Sequence, residues 1–382
     1  MDAVVVGGGI VGLASAYELA DRGADVVVCE ARSLGAGSTD RAVGGIRAQF
    51  SSPVNVALSL AAMPAWDAFE ATFGVDIAYR RPGYLFLARE AETAAGFTDD
   101  VVMQQRHGVP SRLLDADEAR EYVPALDAEA FVRASYAPTG GFADPHLALQ
   151  GYAEGAREAG AEIRTDSPVT DVVEADGRVA GVVADGERLD ADAVVNAAGA
   201  WAREVAAMAD LELPVSPRRR QALVVDPDMA VPEDVPLTID LDTGLYFRPE
   251  RDGLAIVGGH FGGDDPEADP DAYRESYDLD WAGTALERAA GCAGYFGPDT
   301  RIRRGWAGLY AVTPDRHPVV GETRPGFVNA VGFSGHGFQH APAVGQVVAE
   351  LVLDGEAATV DVDPLRADRF GTGDLLAERN VA

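Results

Sequence analysis

The chain is predicted to be an α/β protein: a Rossmann-like nucleotide-binding domain with an interleaved second domain built on a mostly antiparallel sheet. Three observations carry this. The β-branched run Val4-Val5-Val6 enters Gly7-Gly8-Gly9-Ile10-Val11-Gly12, and an apolar pattern of helical spacing (Leu13, Ala16, Tyr17, Leu19, Ala20) leaves it. A second apolar run, Val26-Val27-Val28-Cys29, ends in Glu30. Further along, strand-rich amphipathic stretches alternate with returns to buried strand and helix patterns, so the two textures interleave.

The opening unit reads as a βαβ that binds a dinucleotide. Gly7 allows the tight turn, Gly9 removes the side chain that would block a pyrophosphate, and Gly12 lets the helix lie close to the strand. Ile10 and Val11 open the helix, whose positive end faces the phosphates. Glu30 stands at the spacing expected of an acid that accepts from ribose hydroxyls, with Ala31 and Arg32 beside it.

The remaining elements follow from pattern and punctuation. A Gly/Ser-rich loop covers 33–45. Ser52 caps a helix with Pro53 in its first turn, running to about Phe73. Strands are expected over 83–87 and 131–136, with a helix over 90–106 between them. Asp144 starts a helix ending at Gly160, and 161–164 adds a third parallel strand to the nucleotide sheet. Segments 169–174, 179–184 and 187–189 form a meander, turned by Asp176-Gly177 and Asp185-Gly186. A buried strand returns at 193–199. Residues 214–257 are strand-rich, with Tyr246-Phe247-Arg248 alternating in and out. A long acidic helix is expected over 271–290, a strand over 327–332, a helix over 341–353, and a frayed tail after about Gly371. The nucleotide domain then comprises 1–80, 144–213 and 301–370, and the substrate domain 81–143 and 214–300.

Composition narrows the function. The 382 residues carry a formal charge of −31, and all 31 basic residues are arginine. The absence of lysine excludes a Schiff-base lysine and a Walker phosphate loop. The acidic surface argues against nucleic acid and anionic membranes as partners. Charge spread along the whole chain resembles that of proteins from salt-loving microbes. The two cysteines, Cys29 and Cys292, read as free thiols. No apolar run is long enough to span a bilayer. No signal segment precedes the first strand, so a cytoplasmic location is expected.

Three segments together resemble the FAD-dependent amino-acid and amine oxidoreductases of the D-amino-acid oxidase group. They are the opening fingerprint, Val194-Val195-Asn196-Ala197-Ala198-Gly199-Ala200-Trp201, and the run Gly332-Phe333-Ser334-Gly335-His336-Gly337-Phe338-Gln339-His340-Ala341-Pro342. The resemblance spans the chain and implies FAD as cofactor. It implies that Gly37-Ser38-Thr39 supports the pyrophosphate, that Val169 offers backbone to the adenine, and that Ala198, Gly199 and Trp201 pass beside the cofactor. It places Gly335, His336, Gly337, Phe338 and Gln339 against the flavin ring.

On the substrate side, an arginine is expected to hold a carboxylate bidentately. Arg47 and Arg248 are the candidates. Tyr246, Tyr310 and His336 would orient the substrate or tune its protonation. Two departures from the sarcosine oxidases matter. Gly308 stands where they carry the flavin-linking cysteine, so the FAD is expected to be non-covalent. Gln339 stands where they use a lysine to activate oxygen, which favours a dehydrogenase passing electrons to an acceptor the sequence does not identify. The expected reaction is oxidation of a C–N bond in a small amino acid or N-methylated amino acid. Two alternatives stay open: an FAD-dependent 2-hydroxy acid dehydrogenase, and a non-catalytic Rossmann-fold binding protein like the escort proteins of small GTPases.

Overall fold

The computed structural model describes residues 1–373 and 375–381. Two large sheets dominate it. The first has six strands, in the order Val319–Arg324, Phe327–Val331, Ala193–Asn196, Asp2–Val6, Asp25–Cys29 and Glu162–Arg164. All neighbours pair in parallel except Val319–Arg324, which is antiparallel to Phe327–Val331. The opening strand is buried on both faces, and its alternation sorts the layers. Ala3 and Val5 pack with helices Ile10–Asp21, Pro145–Glu158 and Gly337–Leu353. Val4 and Val6 pack with Val172, Val179 and Val182 of the three-stranded meander, which covers the opposite face. The meander turns as expected: Asp176 and Gly177, then Asp185 and Gly186, all hold positive φ.

The second sheet has eight strands. Seven neighbour pairs hold it together, and only Leu237–Asp240 against Tyr84–Ala88 is parallel. One face packs on helix Leu279–Ala290 through Phe247, Val257, Ala285 and Ala289. The other carries Tyr84, Phe86, Ile239 and Tyr246 toward the first sheet.

Several expectations are corrected. The expected helix to Phe73 is two helices, Pro53–Asp67 and Phe69–Phe73, breaking at Ala68. Pro64 removes a helical amide one turn earlier. Ser52 occupies the N-cap position, but its hydroxyl bonds elsewhere. The acidic helix starts at Leu279, not 271. Residues before it are tied to the second sheet instead: Arg219 donates to the carbonyls of Arg274 and Ser276, and Gln221 accepts from the Asp278 amide. The final long helix starts earlier than expected, at Gly337. Arg301–Val312 pairs with Ser216–Asp226 in the second sheet, so the expected boundary at 301 falls inside that sheet. The tail is anchored rather than frayed: Glu378 and Asn380 are each 3% exposed, although Leu375 between them and the last helix is exposed. Asp374 and Ala382 lie outside the described residues.

Candidate active site

A continuous cavity of about 490 Å³ runs between the two sheets, from the carboxyl ends of the parallel strands to the inner face of the antiparallel sheet. Its first end is built by the opening fingerprint. Gly7 has φ +110°, and a Cβ there would lie 2.6 Å from the Ala197 carbonyl oxygen. Gly12 does not face the cavity: a Cβ on it would lie 1.9 Å from the Gly7 oxygen, so it serves helix–strand contact. Gly9 does face the cavity, and a Cβ there would meet protein no nearer than the Thr39 hydroxyl, at 3.4 Å. The space beside Gly9 is therefore left for a ligand.

Thr39 accepts a 3.1 Å bond from the Ile10 amide, capping the helix from the neighbouring loop. Val11 borders the opening beside it. Glu30 accepts from the amides of Gly8 (2.7 Å) and Arg32 (2.8 Å). Each oxygen keeps a second acceptor site. Ala31, Val169, Ala198, Gly199 and Trp201 line this same end, with the Arg32 guanidinium 4.8 Å over the Trp201 ring. The chain is bent here by a buried amide pair: Asn196 donates to Asn329 and accepts from the Ala198 amide.

Gly37 and Ser38 border the middle of the cavity, where the Ser38 hydroxyl donates to the Leu309 carbonyl. Gly308 lies alongside. A Cβ there would fall 2.4 Å from the Arg41 Cβ, so a cysteine side chain does not fit unless Arg41 moves. Gly335 has φ +94°, and the Tyr310 ring packs where a Cβ on it would stand, so both its backbone and its surroundings require glycine. His336, Gly337, Phe338 and Gln339 then form the first turn of the last long helix.

Arg47 meets this turn. Its amide donates to the Gln339 side-chain oxygen at 2.8 Å. Its guanidinium lies 3.9 Å over the Phe50 ring and donates to the carbonyls of Gln49 and Asn380. The side chain also bonds Tyr84. Arg47 is buried, and no carboxylate of the described residues is ion-paired with it. Burial favours the neutral form of four neighbouring groups. Burial pushes Tyr84 up to about 12 and raises Tyr246 and Tyr310. Burial, then the Arg47 charge, holds His336 well below the ordinary histidine range. His336 Nδ1 has no partner among the described residues.

Arg248 is the correction on this side. It shares a sheet face with Tyr246 but lies beyond the cavity edge, where it bonds the Val43 and Pro249 carbonyls and pairs with Glu250 at 3.1 Å. Sequence reasoning missed Tyr84, Arg220, Trp306 and Val381, which line the cavity. Arg220 had a signal, the run Arg218-Arg219-Arg220 in an acidic chain. It meets Asp265 through two 2.8 Å bonds. Val381 had none.

A glycine turn and Glu30 at the carboxyl ends of a parallel sheet, roofed by a second sheet, with the buried Arg47 on the segment after Ile46, form the kind of cleft that takes a dinucleotide and a small molecule. The sequence matches the family of FAD dependent oxidoreductases (DAO) over residues 2–351, and the chain belongs to that family. It is an FAD-dependent enzyme of oxidation and reduction. It is similar to FAD-dependent oxidoreductase domain-containing protein 1 of Xenopus laevis, 32% identical over all of this chain and 84% of that protein. It is similar to the glycine oxidase of Geobacillus kaustophilus, 30% identical over 96% of this chain and 97% of that one. The crystal structure of L-proline dehydrogenase from P. horikoshii superposes with a TM-score of 0.89 and 34% identity, covering 98% of each chain. Among the described residues no helix is long and apolar enough to cross a membrane.

Proposed function

We propose that this enzyme oxidises the C–N bond of a small amino acid or N-methylated amino acid. Arg47 carries the reading: a buried guanidinium with no carboxylate partner calls for an anion, and an amino acid brings one. Two of the relatives above are named for amino acids, glycine and L-proline. In this reading Gly7, Gly9, Thr39 and Glu30 hold the dinucleotide, and Gly335 to Gln339 meet the ring. The first sheet, from 1–80, 144–213 and the chain after 312, carries the cofactor. The second sheet carries the substrate.

Bound FAD supplies the two-electron acceptor. The chain's own residues do the rest. Arg47 orients the carboxylate, and Gln339 fixes the Arg47 backbone relative to the turn at the ring. Tyr84, Tyr246 and Tyr310 stay protonated and act as donors. Neutral His336 adds no charge, and the Arg47 cation disfavours an ammonium beside it, so the substrate is held as the neutral amine.

The FAD is non-covalent in this reading. Arg41 fills the space beside Gly308. The two cysteines are elsewhere: Cys29 lies at the Glu30 end of the cavity, and Cys292 is buried behind the second sheet. Two free buried thiols also fit a reducing compartment such as the cytoplasm. With Gln339 in place of a lysine, electrons pass to an acceptor other than oxygen.

Acid precipitation followed by a substrate screen tests this. The yellow colour is expected in the supernatant, and small amino acids are expected to reduce artificial dyes faster than oxygen. Colour retained in the pellet would overturn the non-covalent claim. Oxidation of 2-hydroxy acids with no activity on any amine would overturn the substrate class.

A further inference from the structure

The C-terminal segment reaches the cavity through Val381. Residues 375–381 run beside 47–52, the segment that leads into helix Pro53–Asp67. Three contacts seat them. The Glu378 carboxylate is 3% exposed and accepts five bonds. They come from the Ser51 amide and hydroxyl (both 2.7 Å), the Ser52 hydroxyl and Asn55 amide group (both 3.0 Å), and the Asn380 amide (3.1 Å). Arg379 pairs with the buried carboxylate of Asp100 at 2.6 Å. The Asn380 side chain donates to the same carboxylate at 3.2 Å.

This seating reaches the substrate end. The Asn380 carbonyl accepts from the Arg47 guanidinium, and Val381 borders the cavity. Glu378 is also the carboxylate whose charge acts on Arg47 without touching it. A guanidinium over Phe50 has freedom to swing unless its terminal nitrogens are tied. The Gln49 carbonyl ties one, and the tail ties the other.

We propose that the segment 375–381 is a specificity element of the active site. Glu378 is its anchor, Asn380 positions Arg47 through the main chain, and Val381 limits how large a carboxylate-bearing molecule fits. This rests on the reading that Arg47 receives the substrate carboxylate. Without the segment, Arg47 loses an acceptor and the cavity gains an open side. Small carboxylates then bind more weakly, and bulky ones bind relatively better.

The test uses binding rather than turnover. FAD-loaded full-length protein, a chain ending at Gly373, and full-length Glu378→Gln are each titrated with methylthioacetate and with indoleacetate, read as the change in flavin absorbance. The first probe mimics N-methylglycine with sulfur in place of nitrogen; the second is a bulky carboxylate. Removing one charge-assisted bond is expected to weaken methylthioacetate about tenfold in the shortened chain. The indoleacetate to methylthioacetate affinity ratio rises by a similar factor. Glu378→Gln moves both values the same way by a smaller amount, and decides the matter if the shortened chain does not hold FAD. An affinity ratio unchanged from the full-length protein in FAD-loaded variants overturns the proposal. Arg47→Ala in the intact chain separates the two readings. If methylthioacetate binds it as tightly as the parent, the carboxylate site itself is elsewhere, whatever the tail does.

Discussion

In the proposed reading Arg47 is the residue on which the chemistry turns: it is buried, burial works against its charge, and no carboxylate of the described residues is ion-paired with it. Arg47→Ala is expected to cost the few kcal/mol of a charge-assisted bond to the substrate carboxylate. The loss should appear as a raised KM for amino acids and leave a carboxylate-free amine unaffected; equal KM values for amino acids in both proteins would count against it. The pH dependence follows from the same neighbours. His336 is held neutral by burial and by Arg47, and burial keeps the tyrosines protonated. The proton that titrates is the substrate's own ammonium proton, so kcat/KM should climb toward alkaline pH. A profile falling through that range would contradict the neutral-amine step. Arg47 was one of two arginine candidates in the sequence, and it borders the cavity. Arg248 was equally arginine and equally buried, and nothing in sequence revealed that Glu250 and two carbonyls already hold it.

The elements explain why some glycines bind and others only pack. Gly9→Ala finds room against Thr39 but puts a methyl group in the cavity, so FAD affinity should fall while the melting temperature of the FAD-free protein stays close to the parent. Gly12→Ala drives a Cβ into the Gly7 carbonyl and should cost the fold first. Matching FAD affinity in Gly9→Ala and the parent would remove the pyrophosphate assignment.

The last long helix carries a second, buried histidine, His340, which bonds Ser59 at 3.0 Å. Burial and Arg47 lower it to about 3. Its folded pKa lies below the unfolded one, so the unfolded chain takes up the proton first and stability is lost as pH falls below about 6.5. Between pH 7 and 5 the parent should lose roughly 2 kcal/mol more than His340→Gln, read by denaturant unfolding. Equal losses would show that His340 does not bear on acid stability.

The glycine turns and the apolar alternation of these elements were legible because each is local. The start of the helix at Leu279 was not, since the Arg219 side chain, on a strand far away in sequence, holds the residues before it.

At the scale of the whole molecule, charge and topology dominate. A net charge of −31 with no lysine leaves long-range repulsion that counterions must screen. The melting temperature should rise between low and molar potassium chloride; a salt-indifferent value would contradict the halophilic reading. The two-sheet architecture and its interleaving were legible from alternating textures. The tail was not: a Glu-Arg-Asn-Val segment reads as solvated, and only the arrangement of Ser51, Ser52 and Asn55 gives Glu378 a place to dock.

The central claim joins a cofactor cavity to a carboxylate held on Arg47 and an amine oxidised beside it. Anaerobic mixing of the FAD-loaded enzyme with a panel of amino acids, carboxylate-free amines and 2-hydroxy acids tests it in one absorbance measurement. Bleaching of the flavin band by small amino acids or N-methylated amino acids, and not by the other two classes, is the predicted result. Bleaching by hydroxy acids alone, or by none of the three, would contradict it.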